Sequence, residues 1–285
     1  MSFLKSWLLR QNCHKNITHI IESHIPSIWK WFVYRYNFSS KKVFFDKYLP
    51  TDWLKRQFSS KLAEAGLLEL LKWARANDCP WDEWTCAYAA KNGHLEALQW
   101  ARVNGCPWNN WTCAWSAFHG HWEVLKWARA DFHGDKVCPW NAQTCAWAAY
   151  GGHLEILQWA RKNGCPWDIW TCAFAALNGH LKVIQWARAE FHGEQVCPWD
   201  ESTCFSAAMY GHLEVLKWSR ANGCPWDECT CSNAARYGHL EVLQWARADF
   251  HGKQVCPWDK FTCIYAAQYG HSEVLKWAKE NGCPE

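Results

Sequence analysis

From Ala63 onward the chain repeats two helical patterns in turn. In the stretch Cys79 to Gly105, Cys86, Ala89 and Ala90 fall at i, i+3 and i+4, so one face of a helix carries only small side chains. That spacing predicts a helix from about Glu83 to Asn92. After Gly93 the residues change. Leu95 and Leu98 share a face with Ala101 nearby, while Glu96, Gln99 and Arg102 take the outward places, which predicts a second helix. Pro80 cannot sit inside a helix, so a boundary lies there. Asp82 follows at the place of an N-cap, where a side-chain oxygen accepts a backbone N–H. Gly93 ends the first helix, as a glycine in the left-handed region can, and Asn104-Gly105 closes the second. Such a pair cannot bury its apolar face alone; stacked neighbours complete the core.

The pattern is periodic. Cys-Pro-Trp starts at Cys79, Cys106, Cys138, Cys165, Cys197, Cys224 and Cys256, and a final Cys-Pro stands at Cys283. The spacings alternate between 27 and 32 residues, so the unit is a 59-residue double repeat. A strict period of this size predicts an all-α solenoid of helix-turn-helix pairs. The longer junctions carry Phe132, Phe191 and Phe250 at repeat spacing; the leading expectation is that the second helix gains a turn there and the phenylalanines pack as core, and the alternative is that they form a partner-facing ridge. A tryptophan recurs in the second helix at Trp73, Trp100, Trp127, Trp159, Trp186, Trp218, Trp245 and Trp277.

Residues Ala89-Ala90-Lys91-Asn92-Gly93-His94-Leu95-Glu96-Ala97-Leu98 resemble the ankyrin signature A-A-x-x-G-H-x-E-V-V, and Gly-His stands in all seven full repeats. There are departures. The first helix starts Thr85-Cys86-Ala87 rather than T-P-L-H, the second ends Trp100-Ala101-Arg102 rather than L-L-L, and 27 residues is shorter than the ankyrin period of about 33. The missing residues fall where ankyrins carry a β-hairpin finger. The Cys-Pro-Trp form is similar to ankyrin-like arrays of large DNA viruses and unicellular algae. The array is assigned to residues 63–285, with a partial first repeat, seven full repeats and a truncated end. Leu67 replaces the histidine in the first repeat; Ser272 and Lys279 in the last suit a solvent-facing cap.

Charge separates residues 1–62 from the array. That segment has 11 Lys and Arg against 3 Asp and Glu, whereas residues 63–285 have 19 against 24. It is also aromatic, with Trp29, Trp31, Phe32, Tyr34, Tyr36 and Phe38 close together, and is expected to be a helical segment of its own. The 17 cysteines follow the repeat, and no signal peptide is recognisable at the start, so reduced thiols and an intracellular setting, cytoplasmic or within a virus particle, are expected. No stretch approaches 18 apolar residues, so no membrane span is expected.

Candidate chemistry is sparse. The i, i+7 cysteines lack the C-x₂₋₄-C spacing of structural zinc. The Gly-His histidines should stand about 10 Å apart, too far for one metal, and are expected to be hydrogen-bonded at helix starts. No nucleophile elbow, phosphate loop or zinc-protease motif is present, so no catalysis, metal or cofactor is expected. Binding is better supported. The resemblance places partner contacts at the two variable residues of A-A-x-x-G, and the candidates are Phe118, His119, Tyr150, Leu177, Met209, Tyr210, Arg236, Tyr237 and Tyr269. Aromatic and arginine side chains are favoured interface anchors. The recurring Arg75, Arg102, Arg129, Arg161, Arg188, Arg220 and Arg247 share their helices with glutamates and read as a mixed solvated face. The leading expectation is a scaffold for a protein partner. A structural subunit of a large assembly, docked through residues 1–62, is the alternative. Attachment to nucleic acid through the same segment is the third.

Overall fold

The computed structural model describes residues 52–130, 137–189, 196–248 and 255–284. Among the described residues all regular structure is helical, in sixteen helices. The chain divides into two compact units, Met1–Thr112 and Cys113–Glu285.

In the first unit α1 (Asp52–Glu64) and α2 (Leu68–Ala76) form one pair, and α3 (Glu83–Lys91) and α4 (Leu95–Val103) the next. Helix α1 packs on α3, and α2 on α4. Helix α1 draws residues from both sides of the 62/63 division suggested by charge, and residues 1–51 lie outside the described residues. Phe58, Leu62 and Ala63 are buried, and the Ser59 hydroxyl donates to the Pro80 carbonyl at 3.0 Å.

Helix α5 (Asn110–Phe118) crosses the unit division. The second unit continues with α6 (Trp122–Ala128), α7 (Ala142–Tyr150), α8 (Leu154–Lys162), α9 (Ile169–Leu177), α10 (Leu181–Ala187), α11 (Glu201–Met209) and α12 (Leu213–Ala221). It closes with α13 (Glu228–Arg236), α14 (Leu240–Ala246), α15 (Lys260–Gln268) and α16 (Ser272–Glu280). The first helices α7, α9, α11, α13 and α15 stack in that order, and each carries its second helix against it. This is the helix-turn-helix solenoid that the period implies.

Local signals explain the boundaries. Asp82, Asn141, Asp168, Asp200, Asp227 and Asp259 have extended backbone, and each side chain accepts the backbone N–H two residues on. Each such cap stabilises its helix by about 1 kcal/mol. Close stacking needs small residues, and Cys86, Ala89, Ala90, Cys172, Ala175, Ala176, Cys231, Ala234 and Ala235 are fully buried. The second helices add Leu98, Leu125, Leu157, Ile184, Leu216 and Leu243, also fully buried.

The longer junctions differ from the sequence expectation. Helices α6, α10 and α14 precede them and have 7 residues, whereas α4, α8 and α12 have 9. The second helix therefore stops early instead of gaining a turn. The frame is preserved all the same: Cys138 N–H donates to Ala128 at 3.0 Å, as Cys106 N–H donates to Ala101 at 2.9 Å in a short repeat. Phe132, Phe191 and Phe250 lie outside the described residues.

Candidate partner-binding face

The recurring polar residues first have to be separated into those the frame uses and those left over. The Gly-His histidines belong to the frame. No histidine side chain caps its own helix. Six of them instead reach the preceding repeat: Nε2 of His94 lies 3.1 Å from the Glu64 carbonyl oxygen, His153 3.0 Å from Phe118, His180 3.1 Å from Tyr150, His212 3.1 Å from Leu177, His239 3.1 Å from Met209 and His271 3.0 Å from Arg236. A carbonyl only accepts, so Nε2 carries the proton and donates. The ring fits because the facing residue is glycine. A Cβ on Gly179 would stand 2.7 Å from Nδ1 of His212, and one on Gly238 2.6 Å from Nδ1 of His271. Burial lowers the pKa of His180, His212 and His239.

The arginines also belong to the frame, which corrects the solvated-face expectation. The guanidinium of Arg102 lies 4.0 Å from the ring centre of Trp108, and those of Arg129, Arg161, Arg188, Arg220 and Arg247 lie 3.9 to 4.2 Å from Trp140, Trp167, Trp199, Trp226 and Trp258. Each also donates through Nη1 to a Cys-Pro carbonyl, as Arg129 does to Cys138 at 2.6 Å. The loop tryptophan meets the second-helix tryptophan edge to face, as Trp167 meets Trp186 at 5.8 Å. Among the second-helix tryptophans Trp73 is buried, while Trp100, Trp127, Trp159, Trp186, Trp218, Trp245 and Trp277 are half-buried. Glutamates on the same helices stay exposed.

The cysteines are frame residues too. Cys229 is exposed, and the other described cysteines are buried free thiols. Those opening the repeats donate to the carbonyl of the previous N-cap residue, as Cys165 does to Asn141 at 3.4 Å. Burial pushes the Cys113 thiol well up, and Cys283 rises to about 12 for the same chief reason. Such thiols are inert at neutral pH. Among the described residues no three His, Cys, Asp or Glu side chains gather as a metal site.

What remains is the outer face of the first helices. Phe118 lies 4.3 Å from His119 and 5.2 Å from Tyr150, ring centre to ring centre. Tyr210 and Tyr237 stack at 5.9 Å. The Arg236 guanidinium stands 4.9 Å from the Tyr269 ring and donates to its hydroxyl at 2.9 Å. Leu177 and Met209 are half-buried, each lending its carbonyl to a histidine of the next repeat. The sequence-derived candidates thus fall into a Phe118–His119–Tyr150 group, a Tyr210–Tyr237 pair and an Arg236–Tyr237–Tyr269 group.

Sequence reasoning missed a further row. Trp147 lies 5.3 Å from Phe118, 5.5 Å from Tyr150 and 5.4 Å from Phe174; Trp170 lies 5.7 Å from Phe174. Tyr265 occupies the place of Trp147 and Phe174 in α15. The signal was available: Trp147 stands three residues before Tyr150, one helical turn back on the same face.

The family model for ankyrin repeats, many copies, matches residues 145–188 and 204–247. The chain carries ankyrin repeats there, and the pairs on either side follow the same plan. No curated protein matches this chain. Among solved structures it is similar to the pentatricopeptide repeat protein PPR10 in complex with an 18-nt psaJ RNA element. That likeness has 12% identity and a TM-score of 0.47, and covers 81% of this chain and 39% of that one. A cysteine-to-serine variant of the same complex matches equally. At that similarity neither function nor detailed fold follows. No helix among the described residues is long and apolar enough to cross a membrane.

Proposed function

We propose that this protein is a protein-interaction scaffold without catalysis, and that it binds through the outer face of its first helices. One observation carries the reading. Apart from Val103, the exposed large apolar residues among those described are Trp170, Tyr210, Tyr237, Phe261, Ile264 and Tyr269. All six lie on first helices or their C-caps. Exposed apolar residues scattered singly need no explanation, but residues confined to one helix layer do. Repeat solenoids use such extended faces for recognition.

Buried free thiols favour a reducing, intracellular compartment. The charge of residues 1–62 favours a second contact through that segment, as in a subunit anchored to a larger assembly such as a virus particle; nucleic acid is its other charge-complementary target. The test is a pull-down with the full chain and with Tyr150, Tyr210 and Tyr237 all changed to serine. The triple variant should keep its helical circular dichroism and lose the captured protein. Capture unchanged by the triple variant but abolished by deleting residues 1–62 would sink the face in favour of the segment.

A further inference from the structure

The ring cluster on α7 and α9, joined by Phe118 at the end of α5, has a feature that identifies what it takes. We propose that it docks an extended, arginine-bearing segment of the protein partner; this rests on the first-helix face being the interaction surface.

The chain itself shows how this face treats cations. In the first unit Lys61 and Lys91, paired with Glu64 at 2.9 and 3.0 Å, each also place their ammonium 5.7 Å from the Tyr88 ring centre. In the second, Arg236 stands 4.9 Å from Tyr269, 5.6 Å from Tyr237 and 5.7 Å from Tyr265. All these separations are within the reach of a cation–π contact. Also in the second unit, Phe118, Trp147, Tyr150, Phe174 and Trp170 form a linked cluster at 5.2 to 5.8 Å. No cation lies over these rings among the described residues. Helices α7 (AQTCAWAAY) and α9 (IWTCAFAAL) contain no charged residue that could supply one. The repeat arginines are committed to tryptophan rings and carbonyls elsewhere. Trp170 remains 47% exposed, and the other four are half-buried, so ring surface is open to a ligand.

Charge points the same way. Tyr150 and Leu177 end their helices, where the backbone dipole favours a positive ligand. Residues 63–285 carry 19 basic against 24 acidic residues, which favours a cationic peptide over a phosphate backbone. Spacing sets the form of the peptide. Packed helices stand about 10 Å apart, and an extended chain advances about 3.3 Å per residue. Every third residue of an extended segment therefore meets a new repeat.

The probe is a fluorescein-labelled peptide of repeated Gly-Gly-Arg, with a second in which citrulline replaces arginine and so removes only the charge. Polarisation titrations use the full chain and its Trp147→Leu/Phe174→Leu variant. The arginine peptide should bind at least about tenfold more tightly than the citrulline peptide, and the double variant should lose that preference. Tyr150→Arg is a second variant, tolerant of folding because arginine already occupies the equivalent place at Arg236. It seats an internal cation at the cluster and should weaken the arginine peptide comparably. Equal affinity for the two peptides, no measurable binding of either, or binding indifferent to both variants overturns the proposal. So does tighter binding of a short oligouridylate, which would make the rings a base-stacking platform. None of these outcomes touches the scaffold reading if the triple serine variant still loses its captured protein; loss of neither peptide nor partner would sink both.

Discussion

Gly179 and Gly164 both have left-handed backbone, at φ +73 and +82, yet they should respond differently to alanine. At either site an L-residue costs about 1–2 kcal/mol from its own backbone strain. At Gly164 nothing lies within 4 Å of the added Cβ, so that is the whole effect. At Gly179 the Cβ would stand 2.7 Å from Nδ1 of His212, and the ring must move. Moving it stretches the 3.1 Å bond from Nε2 to the Leu177 carbonyl, which closes one repeat onto the next. Losing such a bond costs about 1 kcal/mol, and about 1–3 kcal/mol if the carbonyl is left without a partner. Gly179→Ala should therefore exceed Gly164→Ala by about 1–3 kcal/mol. Guanidinium unfolding followed by circular dichroism, at unchanged denaturant slope, reads the difference. A cycle isolates the cause. With His212→Ala already in place, Gly179→Ala should fall to the Gly164→Ala value, because no ring remains to be displaced. If the two alanines cost the same in the parent chain to within about 0.5 kcal/mol, the ring is not held as argued.

Two further outcomes test the frame. Arg161→Lys keeps the charge but loses the planar stack on Trp167 at 4.1 Å and the geometry of its bond to the Cys165 carbonyl at 2.5 Å, and should cost about 1–2 kcal/mol. A change within about 0.5 kcal/mol on denaturant titration would return the arginines to a solvated face. His180, His212 and His239 have pKa values lowered by burial, so the unfolded chain takes up protons first on acidification. Their contribution to stability is full above about pH 6.5 and is lost as pH falls through the folded values. The denaturation midpoint should be lower at about pH 5.5 than at about pH 7.5, and a midpoint unchanged or higher at the acid end refutes the burial.

Much of this fold was legible because its signals are local and repeated. Asp82 and its counterparts mark helix starts by their side-chain chemistry, and Gly93 marks a helix end by its φ of +74. What escaped sequence reading were relations between repeats. Nothing in the spacing of Arg161 says that its guanidinium turns back onto Trp167, six residues on and across a loop. Charge pattern alone placed it beside Glu155, which is exposed, and so assigned it to solvent. The longer junctions misled for a related reason. Extra residues after Ala128 could extend the helix or not, and only the end of the helix at Ala128, with the Cys138 N–H bonded to the Ala128 carbonyl, decides that it is not extended. Trp147 escaped because the A-A-x-x-G signature marks only the variable pair after the alanines, although the same helix face runs back one turn from Tyr150.

The division between frame and face also accounts for the charge of this surface. Every full repeat needs a cation over the loop tryptophan, and the second-helix arginine supplies it. Of the exposed glutamates on those helices, Glu123 turns instead to Lys126 at 2.7 Å and Glu214 to Lys217 at 2.8 Å. The first helices, freed from capping and stacking duties beyond Thr, Cys and the paired alanines, can vary at the outward places. The result is an array whose fixed cations are turned inward and whose variable rings are turned outward. A ligand for that face then has to bring the complementary property itself. The ring of Tyr269 already shows what that property is, because there the chain supplies Arg236 from its own sequence. At Trp147 and Phe174 the same surface is built without the cation, and positive charge is what a partner must add.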